Sequence, residues 1–190
     1  MNPIAIDGPV VEPVSLADMK AYLRIDGDDE DELVAALIMA ARITIERAAR
    51  IALIAQTWRL RLSAWPRDRV VPLPLRPVMS VEAVRVATGT APPAAVDTDL
   101  YRLDETGQPA RLLVEADVPD PTPRTGGIEI DLVVGFGAGP ASVPEPLILA
   151  TRRLVAFWFE ARGDEPGRAA SGLPADVASL LAPFTDPRLA

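Results

Sequence analysis

The chain has 190 residues, of which 49% are hydrophobic and 24% charged, with 20 prolines and a formal net charge of −8. That length and apolar content suit one domain with a real core, or a small domain carrying an insertion, and exclude a disordered chain. The acidic balance excludes a protein whose main task is gripping nucleic acid, because phosphate binding needs clustered Lys and Arg.

Taken in order, residues 1–14 read as an extended arm, since Pro3, Pro9 and Pro13 discourage helix. The start, MNPIAIDGPVVEPVS, lacks the basic opening and apolar core of a signal peptide, and no apolar run of ~18 residues marks a membrane span. Ser15 is placed to cap a short helix over Leu16–Ile25, with Asp18 at the capping-box position and Gly27 as its stop. The next stretch, Asp29 to Arg50, carries the clearest helical pattern in the chain. Leu33, Leu37, Ala40, Thr44 and Ala48 form one row; Val34, Ile38, Ala41, Ile45 and Ala49 form the row beside it. Asp29 is the expected N-cap, acids fill the first turn, and Arg42, Glu46 and Arg50 are spaced for i,i+4 pairing. The alanines keep the stripe narrow, so another helix can approach closely.

Ile51 to Ala55 is apolar without a period. Thr57 to Ser63 then alternates strictly, Trp58, Leu60 and Leu62 on one side and Thr57, Arg59, Arg61 and Ser63 on the other, which is a half-buried strand. Further strands are expected at Val70-Val71, Val81–Val86, Leu100–Leu103, Arg111–Glu115 and Gly127–Val134. Pro72, Pro74 and Pro77 fit an edge or an extended link, and Ala91-Pro92-Pro93 and Asp120-Pro121-Thr122-Pro123 mark loops. Helix returns near Pro144, with Ser142 and Glu145 at capping spacing and Leu147, Thr151, Leu154 and Trp158 in a stripe, and stops at Gly163–Gly167. A last short helix spans Pro174–Leu181, before an extended tail from Pro183 to Pro187. The chain is therefore expected to be α+β: a small antiparallel helical bundle from residues 1–55 and 139–190, with residues 56–138 inserted as an antiparallel β-sandwich or open barrel.

The chain contains no His and no Cys. Ser-His-Asp and Cys-His nucleophile systems, disulfides and the usual zinc sites cannot be built, so no catalytic residue, cofactor site or metal site is assigned. The acidic run Asp26 to Glu32 lacks the glycine and the closing glutamate of a calcium loop, because Asp31 and Leu37 stand there. It reads as a loop and a dipole-stabilised helix start. Gly135-Phe136-Gly137-Ala138-Gly139-Pro140 puts proline at the third glycine of a dinucleotide loop and reads as a turn needing positive φ. Asp97, Asp99, Asp104 and Glu105 lie in loops without the setting of a glycosidase pair.

The order of motifs resembles the head–tail connector (adaptor) family of long-tailed phages and phage-derived gene transfer agents. The resemblance is carried by Leu16, Lys20, Leu23 and Arg24; by the acidic loop Asp26 to Glu32; by the alanine-rich helix with Glu46; and by Gln56-Thr57-Trp58. Leu73-Pro74, Pro77-Val78, Ser80-Val81, Tyr101-Arg102-Leu103, the Gly135-Phe136-Gly137 turn, Val143-Pro144 and Glu160-Ala161-Arg162 continue it over about residues 14–183. At Leu180-Leu181-Ala182-Pro183-Phe184-Thr185 the last two residues depart from the Tyr-Arg usual there. The resemblance implies a non-enzymatic ring of about twelve copies in a virion neck, assembled in the host bacterial cytoplasm. Such a ring joins portal protein to stopper or tail protein, encloses the DNA channel with only transient, non-specific DNA contact, and meets no membrane. An acidic, lysine-poor chain suits such a conduit. The candidate subunit or portal interface comprises Leu33, Leu37, Ala40 and Ala41 on the long helix, and Leu173, Val177, Leu180, Leu181 and Phe184 near the C-terminus. The alternatives are a different neck component, such as a stopper or tail-completion protein, or a carboxylate-dependent hydrolase.

Overall fold

The computed structural model describes residues 2–89, 92–107, 109–122, 127–161 and 172–185. The expected stop at Gly163–Gly167, together with Ala91, Pro123, Arg162 and the Asp186-Pro187 end of the tail, lies outside the described residues. The fold is α+β with antiparallel sheets, and the chain divides into two compact units, Met1–Val10 with Ala55–Gly135 and Val11–Ile54 with Phe136–Ala190.

The first unit is built on strands. β1 (Asn2–Asp7), β2 (Gln56–Leu62), β3 (Val70–Pro72), β4 (Val78–Val86), β5 (Ala94–Ala95), β6 (Tyr101–Asp104), β7 (Arg111–Val114) and β8 (Ile128–Val134) form two sheets, one ordered β1-β2-β8-β4-β5 and one ordered β3-β7-β6. Every pairing is antiparallel. β8 lies at the centre of the larger sheet because its even-numbered residues are all large and apolar. Leu60 pairs with Ile130, Leu62 with Ile128, and Val84 and Val86 meet the same two residues from the other side. Leu60, Ile128, Ile130, Leu132 and Val134 are fully buried, each contributing about 1.5–3 kcal/mol by leaving water. A one-residue slip would turn this whole row outward, so the register is firmly specified. Gly127 opens β8 at φ +82°, where a Cβ would collide with the Leu62 carbonyl, so only glycine fits.

Two features of this unit differ from expectation. Part of the N-terminal arm, assigned above with the helices, is β1 and pairs with β2. Pro3 is tolerated because β1 is an edge strand. β4 begins at Val78, earlier than expected, because register shifts at Val78/Ser80 and Val81/Ala83 break the two-residue period that would have revealed it.

The second unit is helical. α1 (Leu16–Leu23), α2 (Asp31–Ala49), α3 (Glu145–Glu160) and α4 (Ala175–Leu181) pack together, with α2 against α3, α3 against α4 and α1 against α2. Ser15 caps α1: its Oγ accepts from the Asp18 N–H at 3.0 Å and donates to Asp18 Oδ2 at 2.7 Å. The helix ends before Gly27, because Arg24 takes the left-handed conformation at φ 58° and the Ile25 N–H closes back on the Lys20 carbonyl at 3.0 Å. The N-cap of α2 is Glu30 rather than Asp29, with no side-chain cap bond. Residues 51–54 lack a period because all four are buried. α3 opens on Pro144 after a separate short turn, Pro140–Ser142, so Ser142 is not its cap. The tail expected to be extended begins as another short turn, Ala182–Phe184. The core joins Met19, Val34, Ile38, Ala41, Ile45, Leu147, Leu154, Val177 and Leu181, all 2% exposed or less.

Candidate assembly surface

The two rows of α2 have opposite fates. Val34, Ile38, Ala41, Ile45 and Ala49 are buried in the unit's own core. Leu33 is exposed, while Leu37, Ala40 and Thr44 are half-buried and Ala48 is exposed. Ala41 therefore leaves the candidate interface: at 0% exposure it offers no surface to a neighbour. Beyond the expected row, Met39 and Ile43 are also exposed, at 48% and 40%. The two-row reading passed over them because it followed only the stripe best aligned with the core.

Arg42 lies on the same helix but faces inward. Its Nε and Nη2 donate to Glu12 Oε2 and Oε1 at 2.8 and 3.2 Å, and its Nη1 donates to Glu46 Oε2 at 3.0 Å. Glu46 Oε1 in turn accepts the Leu53 N–H at 2.9 Å. Burial would lower the Arg42 guanidinium, but the Glu12 hydrogen bond and the two carboxylate charges outweigh it and raise its pKa. The cluster ties residue 12, the end of α2 and the segment after it into one piece. The spacing foretold the Arg42–Glu46 pair but not the 30-residue reach to Glu12.

The acidic start of α2 is held by the chain's lysine. Lys20 Nζ lies 2.7 Å from Asp28 Oδ1 and 2.6 Å from Asp31 Oδ1. Those hydrogen bonds raise the Lys20 pKa and lower that of Asp28. This engagement ties the end of α1 to the start of α2 through Asp28 and Asp31. Among the described residues, no three His, Cys, Asp or Glu side chains are grouped to hold a metal ion. The loop carboxylates have local duties: Asp97 accepts from the Asp99 N–H at 3.3 Å, and Asp104 from the Thr106 N–H and hydroxyl at 3.0 and 2.5 Å. The Thr106 bonds lower the Asp104 carboxyl. At the glycine turn, a Cβ on Gly137 would overlap the Ser142 side chain, so the glycine packs closely there.

The C-terminal candidates also separate. Val177 and Leu181 are 0% and 2% exposed and belong to the core, which removes them from the interface set. Leu173, Leu180 and Phe184 are only partly buried against that core. Phe184 meets Phe136 edge to face at 6.4 Å. Arg153 Nη1 donates to Asp176 Oδ2 at 3.0 Å and holds α4 to α3, lowering the Asp176 carboxyl.

In the other unit, the outward face of the larger sheet is charged. Asp131 accepts from Arg59 Nε and Nη2 at 2.6 and 2.9 Å and from Arg85 Nη1 at 2.6 Å, and Glu129 accepts from Arg61 at 2.8 and 3.0 Å. The Arg59 hydrogen bond, with Arg85 behind it, outweighs the desolvation of Asp131 and depresses its pKa. Each of the three arginines is engaged by one of the two acids. Among the described residues, no helix is long and apolar enough to cross a membrane.

Comparison with curated proteins gave no match. Among solved structures, the chain is similar to one from the neck of an empty gene transfer agent particle computed with C6 symmetry, with TM-score 0.82 and 27% identity over 100% of this chain and 98% of the other. It is similar to one from the virion of a native gene transfer agent particle, with TM-score 0.81, 27% identity and the same coverage. A third match comes from the neck of a native particle computed with C12 symmetry, with TM-score 0.69 and 28% identity over 97% of each chain. The head completion protein family matches residues 12–178, well over half of the chain, and the protein belongs to that family: it is a structural protein of the virion neck, not an enzyme.

Proposed function

We propose that the protein forms the adaptor ring of the neck, about twelve copies joining the portal to the stopper or tail and enclosing the path of the DNA. The observation that carries this reading is full-length similarity to chains solved in neck assemblies of both C6 and C12 symmetry. A twelve-fold ring satisfies either symmetry, since the higher contains the lower. The net charge of −8 supports it, because an acidic wall repels phosphate and keeps DNA from sticking. We further read the four helices as a connector-type antiparallel bundle and the two sheets as a sandwich or open barrel inserted into it. Leu173, Leu180 and Phe184, half-covered at the C-terminal end, are the side chains proposed to meet the portal.

Removal of the protein from particle-producing cells tests the reading. The expected product is DNA-filled heads without tails, together with a portal that no longer co-purifies with the next neck component. Normally joined particles would refute it. Heads that keep the ring below the portal but lack the next component would instead favour a stopper or tail-completion role.

A further inference from the structure

We propose that β1 is an exchangeable strand: in the assembled neck, each copy lays its β1 on the β2 edge of a second copy. The proposal rests on the ring reading above and adds to it the segment that is traded between copies and the site that receives it.

β1 is weakly held on its own chain. It pairs with β2 alone, at the edge of the larger sheet. Every side chain from Ile4 to Asp7 is exposed, and Ile4 and Ile6 are each 43% exposed. Backbone hydrogen bonds to β2 therefore do most of the holding. Pro3 has no N–H to give, and the register shifts between Ala5 and Asp7. A strand held in this way opens at far less free energy than the buried β8.

The residues after β1 have the anatomy of a hinge. Glu12 is fixed by two hydrogen bonds from Arg42, and Pro13 and Val14 are buried. Between Asp7 and Glu12 lie Gly8, Pro9, Val10 and Val11. Four extended residues reach about 14 Å, and Pro9 keeps the stretch from coiling into a helix. Val10 is 94% exposed and Val11 42%. With β1 on its own β2, these two valines stand in water. Carried to a neighbouring copy, the same stretch crosses the junction between copies, where apolar side chains gain by being covered.

Register selects the occupant. The β2 edge is fitted to one sequence, that of β1, residue against residue from Asn2–Arg61 to Asp7–Thr57. A different neck protein would have to reproduce that match, whereas a second copy carries it. Exchange remakes every β1–β2 contact, so its cost is the opening alone, and the high local concentration inside an assembly offsets that cost. A copy that gives its strand to one neighbour and receives one from the other leaves no β2 edge bare.

The chain has no cysteine, so introduced thiols report the pairing directly. Asn2 and Arg61 are partners across β1 and β2, and the Cα atoms of such partners lie about 4.5–5.5 Å apart, within disulfide range. The double variant Asn2→Cys/Arg61→Cys is produced in particle-producing cells, and its purified necks are oxidised with diamide. The expected result is a ladder of covalent multiples of the 20.3 kDa chain, joined between positions 2 and 61 by peptide mapping, with no ladder from either single variant. A disulfide confined to one chain, or no link between positions 2 and 61 in necks that contain the chain, overturns the proposal and leaves the adaptor reading standing. Absence of the wild-type chain from necks overturns both. A second measurement uses the unaltered purified chain: the β1 amides bonded to β2 should exchange with deuterium at least about tenfold faster than the amides of β8. Equal protection of the two strands overturns the proposal.

Discussion

The larger sheet and α2 solve the same problem differently. Each buries one apolar face in its own unit. The sheet then lays arginines over its other face, with the buried Asp131 held between Arg59 and Arg85. The helix turns leucine, methionine and isoleucine outward. The contrast is one of degree, because the sheet also leaves Ile4 and Ile6 of its edge strand β1 and Met79 of β4 at 43–44% exposure, against 40–48% for Leu33, Met39 and Ile43 of α2. Apolar surface exposed on a helix already packed on its other side contributes little to the isolated fold.

Substitutions at the inner faces should show the largest effects. Ile130→Ala and Ile38→Ala each remove a fully or nearly fully buried side chain and should destabilise the chain by about 2–5 kcal/mol in urea unfolding. If either costs under ~1 kcal/mol, the packing assigned to that face is wrong.

Next comes Arg42→Ala, which strands Glu12 and Glu46 in a part-buried site. The expected loss is about 1.5–3 kcal/mol, accompanied by faster hydrogen exchange at the Leu53 amide, whose acceptor is Glu46.

The charged face of the sheet should be worth less. Asp131→Asn is expected to cost about 1–2 kcal/mol at neutral pH. Because the folded pKa of Asp131 lies below its unfolded value, this contribution is present above the ordinary carboxylate range and lost as pH falls through the folded pKa. The wild-type advantage over Asp131→Asn in urea midpoints should therefore disappear in strong acid. An advantage that persists there would show that Asp131 acts through something other than its charge.

The smallest effect on stability belongs to the outer face of α2. Met39→Glu should change the unfolding free energy of the isolated chain by no more than about 0.5 kcal/mol. A large loss would mean that the face is covered within the chain, and the contrast with the sheet would fail.

Much of this was legible locally. The alternation of Thr57–Ser63 assigned both the strand and its faces, because a period of two is a local property. The capping box at Ser15 and Asp18 formed as spaced. The interface candidates were legible as apolar, but not as inner or outer. Ala41, Val177 and Leu181 turned out to be core, whereas Leu33, Leu37 and Ala40 kept some surface. Met39 and Ile43 went unmarked because helical periodicity reports that a stripe exists, not how many partners share the helix.

The sequence by itself determined the types of the four helices and of the longer central strands, the absence of histidine and cysteine chemistry, the acidic balance and the family-like order of motifs. These depend on residue identity and on spacing within a few turns. Tertiary structure decided that the first strand joins β2, that Glu12 reaches Arg42, that β4 runs through its bulges, and which row of α2 meets the core. Each of these pairs groups far apart in the chain, and no local period encodes which distant surface will close over an apolar face.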